Sequence, residues 1–91
     1  MRSRYSAYAL GDETYLLETW HPGTRPARLR LDPRTSWIKL EIHAVSGGSV
    51  FDSTGTVEFT AHYRVGRRLR SRHELSRFET HAGRWFYLDG R

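Results

Sequence analysis

WIKLEIHA at residues 37–44 and VEFTAHY at residues 57–63 alternate apolar and polar side chains, the signature of strands buried on one face only. In the first, Ile38, Leu40, Ile42 and Ala44 fall on one side and Lys39, Glu41 and His43 on the other. In the second, Val57, Phe59, Ala61 and Tyr63 oppose Glu58, Thr60 and His62. Between them SGGSVFDSTG is rich in turn formers, so the two strands pair as an antiparallel hairpin. Charge selects the register. Lys39 beside His62, Glu41 beside Thr60 and His43 beside Glu58 is favourable, whereas a slip of two residues opposes Glu41 to Glu58 or Lys39 to Arg64.

Working outward, a turn at Gly66-Arg67 opens a third strand over residues 68–80, and Ala82-Gly83 turns the chain into a fourth over 84–89. With two-residue turns at both places, Glu74, Ser76 and Phe78 share the face of Val57 and Phe59, with Trp85 and Tyr87 alongside. A three-residue first turn sends His73 and Leu75 there instead, and alternation alone leaves both open. Upstream, Met1, Tyr5, Tyr8 and Ala9 recur at helical spacing before Gly11, which predicts a helix over 2–10. Asp12 caps a second helix over 13–20, in which Leu16, Leu17 and Trp20 share a face and which Pro22 ends. Helices this short are marginal alone, so they dock on the sheet. Residues 21–35 hold three prolines and form a connection with a brief extended piece at 29–31. The whole is one α+β domain over residues 1–91: two short N-terminal helices packed on a four-stranded antiparallel meander sheet.

A chain of 91 residues has room for one small core, and three Trp, five Tyr and four Phe bring it apolar area. Without cysteine there are no disulfides and no thiolate chemistry, and a zinc site would need His and carboxylates alone. None of the five histidines stands in an H-x-H or H-E-x-x-H spacing, and His73 and Glu74 are neighbours on a strand and point to opposite faces. No metal and no cofactor is expected. No apolar run approaches the ~20 residues of a membrane span, and MRSRYSAYAL has no signal-peptide pattern, so the expectation is a cytoplasmic protein with no membrane partner. The net charge of +5 is concentrated in residues 67–91, where seven Arg face three acids and Arg68, Arg70 and Arg72 line one side of a strand. Such a row touches phosphate without reading bases, so no specific nucleic-acid recognition is expected.

RSRYSAY at residues 2–8, TWHP at 19–22, HELSRF at 73–78 and WFYLDG at 85–90 resemble, together and in this order, the central domain of the YchJ family of uncharacterised bacterial proteins. The resemblance spans nearly the whole chain. It implies a nuclear transport factor 2-like (cystatin-like) fold, in which a curved sheet wraps helices around a cone-shaped cavity. It also favours the turn that points Glu74, Ser76 and Phe78 together. Members of that family usually carry cysteine-rich SEC-C zinc modules as well. These residues hold no cysteine, so whatever those modules do lies outside them, and Met1 is read either as a misplaced start or as that of a stripped-down paralogue.

Within such a cone, Arg4, His21 and Glu74 are expected to converge where the first helix, the end of the second and the third strand meet. Ser76 and Phe78, with Tyr5, Tyr8, Trp20, Trp85 and Tyr87, are the expected cavity lining. A buried carboxylate with Arg and His nearby is an acid–base set, which makes Glu74 and His21 the catalytic candidates. The plain alternative is an Arg4–Glu74 ion pair that fixes the helix on the sheet. The functional expectation is a small-ligand-binding or protein-interaction module. Its alternative is a small enzyme of isomerase, dehydratase or hydrolase type, using Glu74 with His21 or Arg4. The partners expected are an unidentified small ligand and a second copy of the chain. That homodimer would form through the outer sheet face, where Trp37, Val45, Leu75, Phe86 and Leu88 make an apolar patch. Val50 and Phe51, in the loop of the first hairpin, tuck back onto the sheet or meet a partner.

Overall fold

The computed structural model describes residues 2–91. Helices α1 (Arg2–Leu10) and α2 (Glu13–Glu18) precede strands β1 (Thr35–Gly47), β2 (Thr54–Val65), β3 (Arg68–His81) and β4 (Arg84–Gly90). The strands form one antiparallel sheet in the order β1-β2-β3-β4, with both helices on one face. This is the α+β meander expected. Gly11, at φ 70°, ends α1, and the Asp12 carboxylate accepts a bond from the Tyr15 amide at 3.0 Å to cap α2. The part of the α1 stripe assigned to Met1 lies outside the described residues.

Helix α2 stops at Glu18, two residues short of expectation, and Pro22 is not the cause. The Tyr87 amide donates to the Thr19 carbonyl at 2.8 Å and the His21 amide to the Tyr87 carbonyl at 2.7 Å, so the chain leaves the helix to make a short parallel bridge with β4. That bridge covers one edge of the sheet, which would otherwise expose unpaired backbone groups. Residues 29–31 form no strand, although the Leu29 amide is tied to the Glu13 carboxylate at 3.2 Å.

Lys39 faces His62 and Glu41 faces Thr60, as charge predicts, but irregularities at Ile38 and His43 shift the register at both ends. Trp37 consequently faces Tyr63, and Ala44 rather than His43 faces Glu58. A bulge inserts one residue and resets the alternation. Trp37 therefore turns inward against Tyr5 and Tyr8 of α1, Val45 opposes Val57, and Ile38, expected inside, is half exposed. Two-residue turns at Gly66-Arg67 and Ala82-Gly83 are observed. They pair Glu74 with Phe59 and Ser76 with Val57 and bring Glu74, Ser76 and Phe78 to the helix-covered face.

The core between helices and sheet is Ala7, Leu16, Phe59 and Ala61, and Arg4, Glu74 and Ser76 are buried with it. The opposite face is mostly polar, with Ile38 and Leu69 exposed among its charged side chains. Glu41 bonds Lys39 at 3.0 Å and His62 at 3.1 Å, His73 meets Glu58 at 2.8 Å, and Arg77 grips Asp89. The apolar patch expected there does not form. Trp37 and Val45 lie on the other face, and Phe86 is buried beneath the rings of His21 and His81. Only half-buried Leu75 and Leu88 remain of the set, so the motive for a dimer through this face is lost. Val50 and Phe51 do not tuck back; they are 91% and 95% exposed at the tip of the β1–β2 loop. Among the described residues no helix is long and apolar enough to cross a membrane.

Candidate functional site

Arg4 sits on the face of α1 that meets the sheet. Its Nη1 donates to the Leu16 carbonyl at 3.0 Å and to Thr19 Oγ1 at 2.6 Å, which ties α1 to the end of α2. Its guanidinium lies 4.6 Å from the centre of the Tyr87 ring and 5.4 Å from that of Trp20, and the two rings meet edge to face at 4.9 Å. Both distances are within cation–π range. Arg4 is 4% exposed. Burial holds its guanidinium below the ordinary value, yet arginine does not lose its charge in proteins.

The Arg4–Glu74 ion pair does not form: among the described residues no carboxylate oxygen lies within 4 Å of the Arg4 guanidinium, and Glu74 has other partners. Its Oε2 accepts from Ser76 Oγ at 2.5 Å, and its Oε1 is 3.3 Å from Arg72 Nη2. The Tyr87 hydroxyl reaches Oε2 at 3.5 Å. Burial, with the neighbouring Glu74 charge adding to it, pushes that phenol up to about 12. Gly90 presses so closely on the carboxylate that any Cβ there would overlap it.

His21 is not part of this cluster. Successive side chains of an extended segment point to opposite sides, and because Trp20 turns in, His21 turns out. Its Nδ1 accepts from the Gly23 amide at 2.9 Å, and its Nε2 faces Glu79 Oε1 at 3.2 Å. The acid–base pairing of Glu74 with His21 therefore has no counterpart in the fold. Trp85 is a second correction. It shares the inner face with Tyr87 but lies two residues closer to the β3–β4 turn, one strand repeat of ~7 Å away and beyond the helices. There it borders a shallow groove with Val45, Val57 and Phe78, while Phe78 also touches Tyr87 edge-on at 5.7 Å. Ser76 is fully buried under Glu74.

What remains encloses a cavity of about 340 Å³ between α1, residues 29–31 and the sheet. Tyr5, Tyr8, Trp20 and Tyr87 line it, with Arg4 and Glu74 in its wall. Phe59 and Ala61 form the floor, and Leu29, Leu31 and Trp37 close its side. Arg30 and Arg72 stand at the rim. Trp37 is hidden from an alternation argument by the bulge after it, and nothing in the sequence marks residues 29–31 as a wall. Arg72 was legible, two residues before Glu74 on the same strand and hence on the same face. The Trp20 indole Nε1 is buried without a hydrogen-bond acceptor. Among the described residues no group of three His, Asp or Glu side chains is placed to hold a metal ion.

A family profile described as the YchJ middle NTF2-like domain matches residues 1–90. A UPF0225 protein of Streptomyces coelicolor is 58% identical over 90 residues, covering 99% of this chain and 69% of that protein. One from Chromobacterium violaceum is 53% identical over 93 residues, with the same coverage of each. The solution structure of a SEC-C motif containing protein from Rhodopseudomonas palustris superposes with a TM-score of 0.85 at 37% identity, over 100% of this chain and 73% of that one. The crystal structure of a SEC-C motif containing protein from Psychrobacter arcticus gives 0.76 at 29% identity, over 98% and 56%.

Proposed function

This chain belongs to the YchJ family as its middle NTF2-like domain, and from that premise we propose that it is a small-ligand-binding module. The observation that carries the reading is the aromatic-walled cavity of about 340 Å³ with a buried, charged Arg4 in its wall. Its size falls within the ~300 to 1,000 Å³ of small-molecule sites, and a few polar groups in an apolar lining is their usual make-up. The enzymatic alternative finds less support. Glu74 is occupied by Ser76 and Arg72, and His21 faces Glu79 on the far side of the sheet, which leaves no free base beside a free acid.

A screen of small aromatic fragments against ¹⁵N-labelled protein tests the reading. Saturable shifts are expected at the indole N–H groups of Trp20 and Trp37, and Ala61→Leu, which fills the cavity floor, should weaken them. Shifts confined to Trp85 would overturn the assignment of the site. They would favour the second reading, a protein-interaction surface built on the groove of Val45, Val57, Phe78 and Trp85 beside the exposed Val50 and Phe51.

A further inference from the structure

The cavity's charge and shape restrict what it takes. We propose that its ligand is a planar aromatic monoanion, a single carboxylate on a one- or two-ring core, with the carboxylate held at Arg4. This rests on the reading of the cavity as a ligand site and names the chemistry of its occupant.

Arg4 is a buried cation in the cavity wall. A buried charge is normally paired or neutralised, and arginine cannot neutralise itself. Its Nη1 is occupied by the Leu16 carbonyl and Thr19 Oγ1, both uncharged acceptors. The rings of Tyr87 and Trp20 offset part of the cost through their faces, but neither supplies a negative charge. Among the described residues the one carboxylate in the cavity wall, Glu74, is bound to Arg72 and Ser76 and is separated from Arg4 by Tyr87. Among the described residues Arg4, Arg30 and Arg72 stand against Glu74 around this space, so an anion entering it is attracted and a cation is repelled. A guanidinium's planar fork of donors matches a carboxylate.

The rest of the wall selects shape. Tyr5 and Tyr8 meet Trp37 at 5.9 and 5.7 Å with interplanar angles of 75° and 52°, so ring faces and edges both border the space where a flat ring would lie, and aromatic groups favour such offset and edge-on neighbours. A phosphate monoester fits less well. Its second charge would approach Glu74, and its hydration would be lost against aromatic walls with only one buried cation to replace it.

Isosteric probes decide the matter. The unaltered protein, ¹⁵N-labelled, is titrated with 2-naphthoate, 2-naphthamide and 2-naphthylmethylammonium. Naphthoate is expected to bind at least about tenfold more tightly than the amide, shifting the Arg4 side-chain and Trp37 indole signals, and the ammonium more weakly still. In Arg4→Met, naphthoate should fall to the level of the amide, so that the tenfold difference between the two disappears. Equal affinities for naphthoate and the amide in the unaltered protein, or a preference for the ammonium, overturn the anion assignment but leave a ligand cavity standing. A naphthoate preference that survives in Arg4→Met overturns the role of Arg4 and moves the anion to Arg30 or Arg72. If none of the three probes moves a cavity resonance at millimolar concentration, the cavity reading itself fails. The comparison of the three probes needs no variant, so it stands even if Arg4→Met does not fold.

Discussion

The guanidinium of Arg4 lies over the ring of Tyr87, 4.6 Å from its centre, while the hydroxyl of that same ring points to Glu74 at 3.5 Å. One aromatic side chain thus separates two buried charges that their positions in the sequence would have paired. Their surroundings differ: Glu74 meets Ser76 and the charged Arg72, whereas Arg4 donates to uncharged carbonyl and hydroxyl oxygens at the end of α2.

The energetic partner of Arg4 is therefore expected to be Tyr87. A double-mutant cycle with Arg4→Met and Tyr87→Leu should give a coupling of about 1 kcal/mol, the scale of a partly desolvated cation–π contact. Arg4→Ala alone should cost ~2 to 4 kcal/mol, because it leaves a void and unties α1 from α2. Arg4→Met also unties the helices, but it keeps most of the volume and removes a buried charge, so it should cost less than Arg4→Ala. Chemical denaturation of the set is the check, and a second cycle of Arg4→Met with Glu74→Gln that gave a coupling of ~3 kcal/mol or more would reinstate the ion pair.

Gly90 is required by Glu74. A methyl group at position 90 overlaps the carboxylate and must push it away from Ser76 and Arg72. Gly90→Ala is expected to destabilise the domain by ~1 to 3 kcal/mol. In a Glu74→Ala background the same change should cost under ~0.5 kcal/mol, since the clash is gone. Thermal melts of the two pairs separate this steric effect from a general intolerance at the chain's last strand.

Acid should weaken the outer face through Glu41. Hydrogen bonds from His62 and then Lys39 hold its carboxyl at about 2, against an ordinary 4.5. A folded-state value below the unfolded one stabilises the fold above the unfolded value, and that contribution is lost as pH falls toward the folded one. Glu41→Gln should accordingly melt below the parent at neutral pH, and the two melting temperatures should converge between about pH 4.5 and 2. A gap that persists unchanged down to pH 2 would show that the carboxylate is not its source.

The row Arg68, Arg70 and Arg72 offers phosphate contacts without base readout. Arg72 is already drawn to Glu74, and the cavity aromatics face inward rather than forming a stacking platform. Any binding to duplex DNA should be independent of sequence and vanish by ~200 mM salt. Fluorescence anisotropy with two unrelated duplexes across a salt series would expose a sequence preference if one exists.

The sequence by itself determined the elements that depend on neighbours along the chain. Alternation in WIKLEIHA and VEFTAHY defines a half-buried hairpin, Gly11 and Asp12 bound the helices, and Gly66-Arg67 and Ala82-Gly83 turn the strands tightly enough to aim Glu74 inward. Cross-strand charge was sufficient for the middle of the β1–β2 register, where Lys39 meets His62. Tertiary structure decided whatever depends on hydrogen bonds between distant segments. Two bulges in β1 reverse the alternation locally and carry Trp37 and Val45 to the helix side. The bridge from Thr19 and His21 to Tyr87 ends α2 early, turns Trp20 into the cavity and His21 out of it, and so dissolves the acid–base cluster that residue types alone suggest. A periodic pattern records which face of an element is apolar. It does not record where a ladder slips by one residue, nor which edge a loop will cover, because those are settled by the backbone groups of the partner strand.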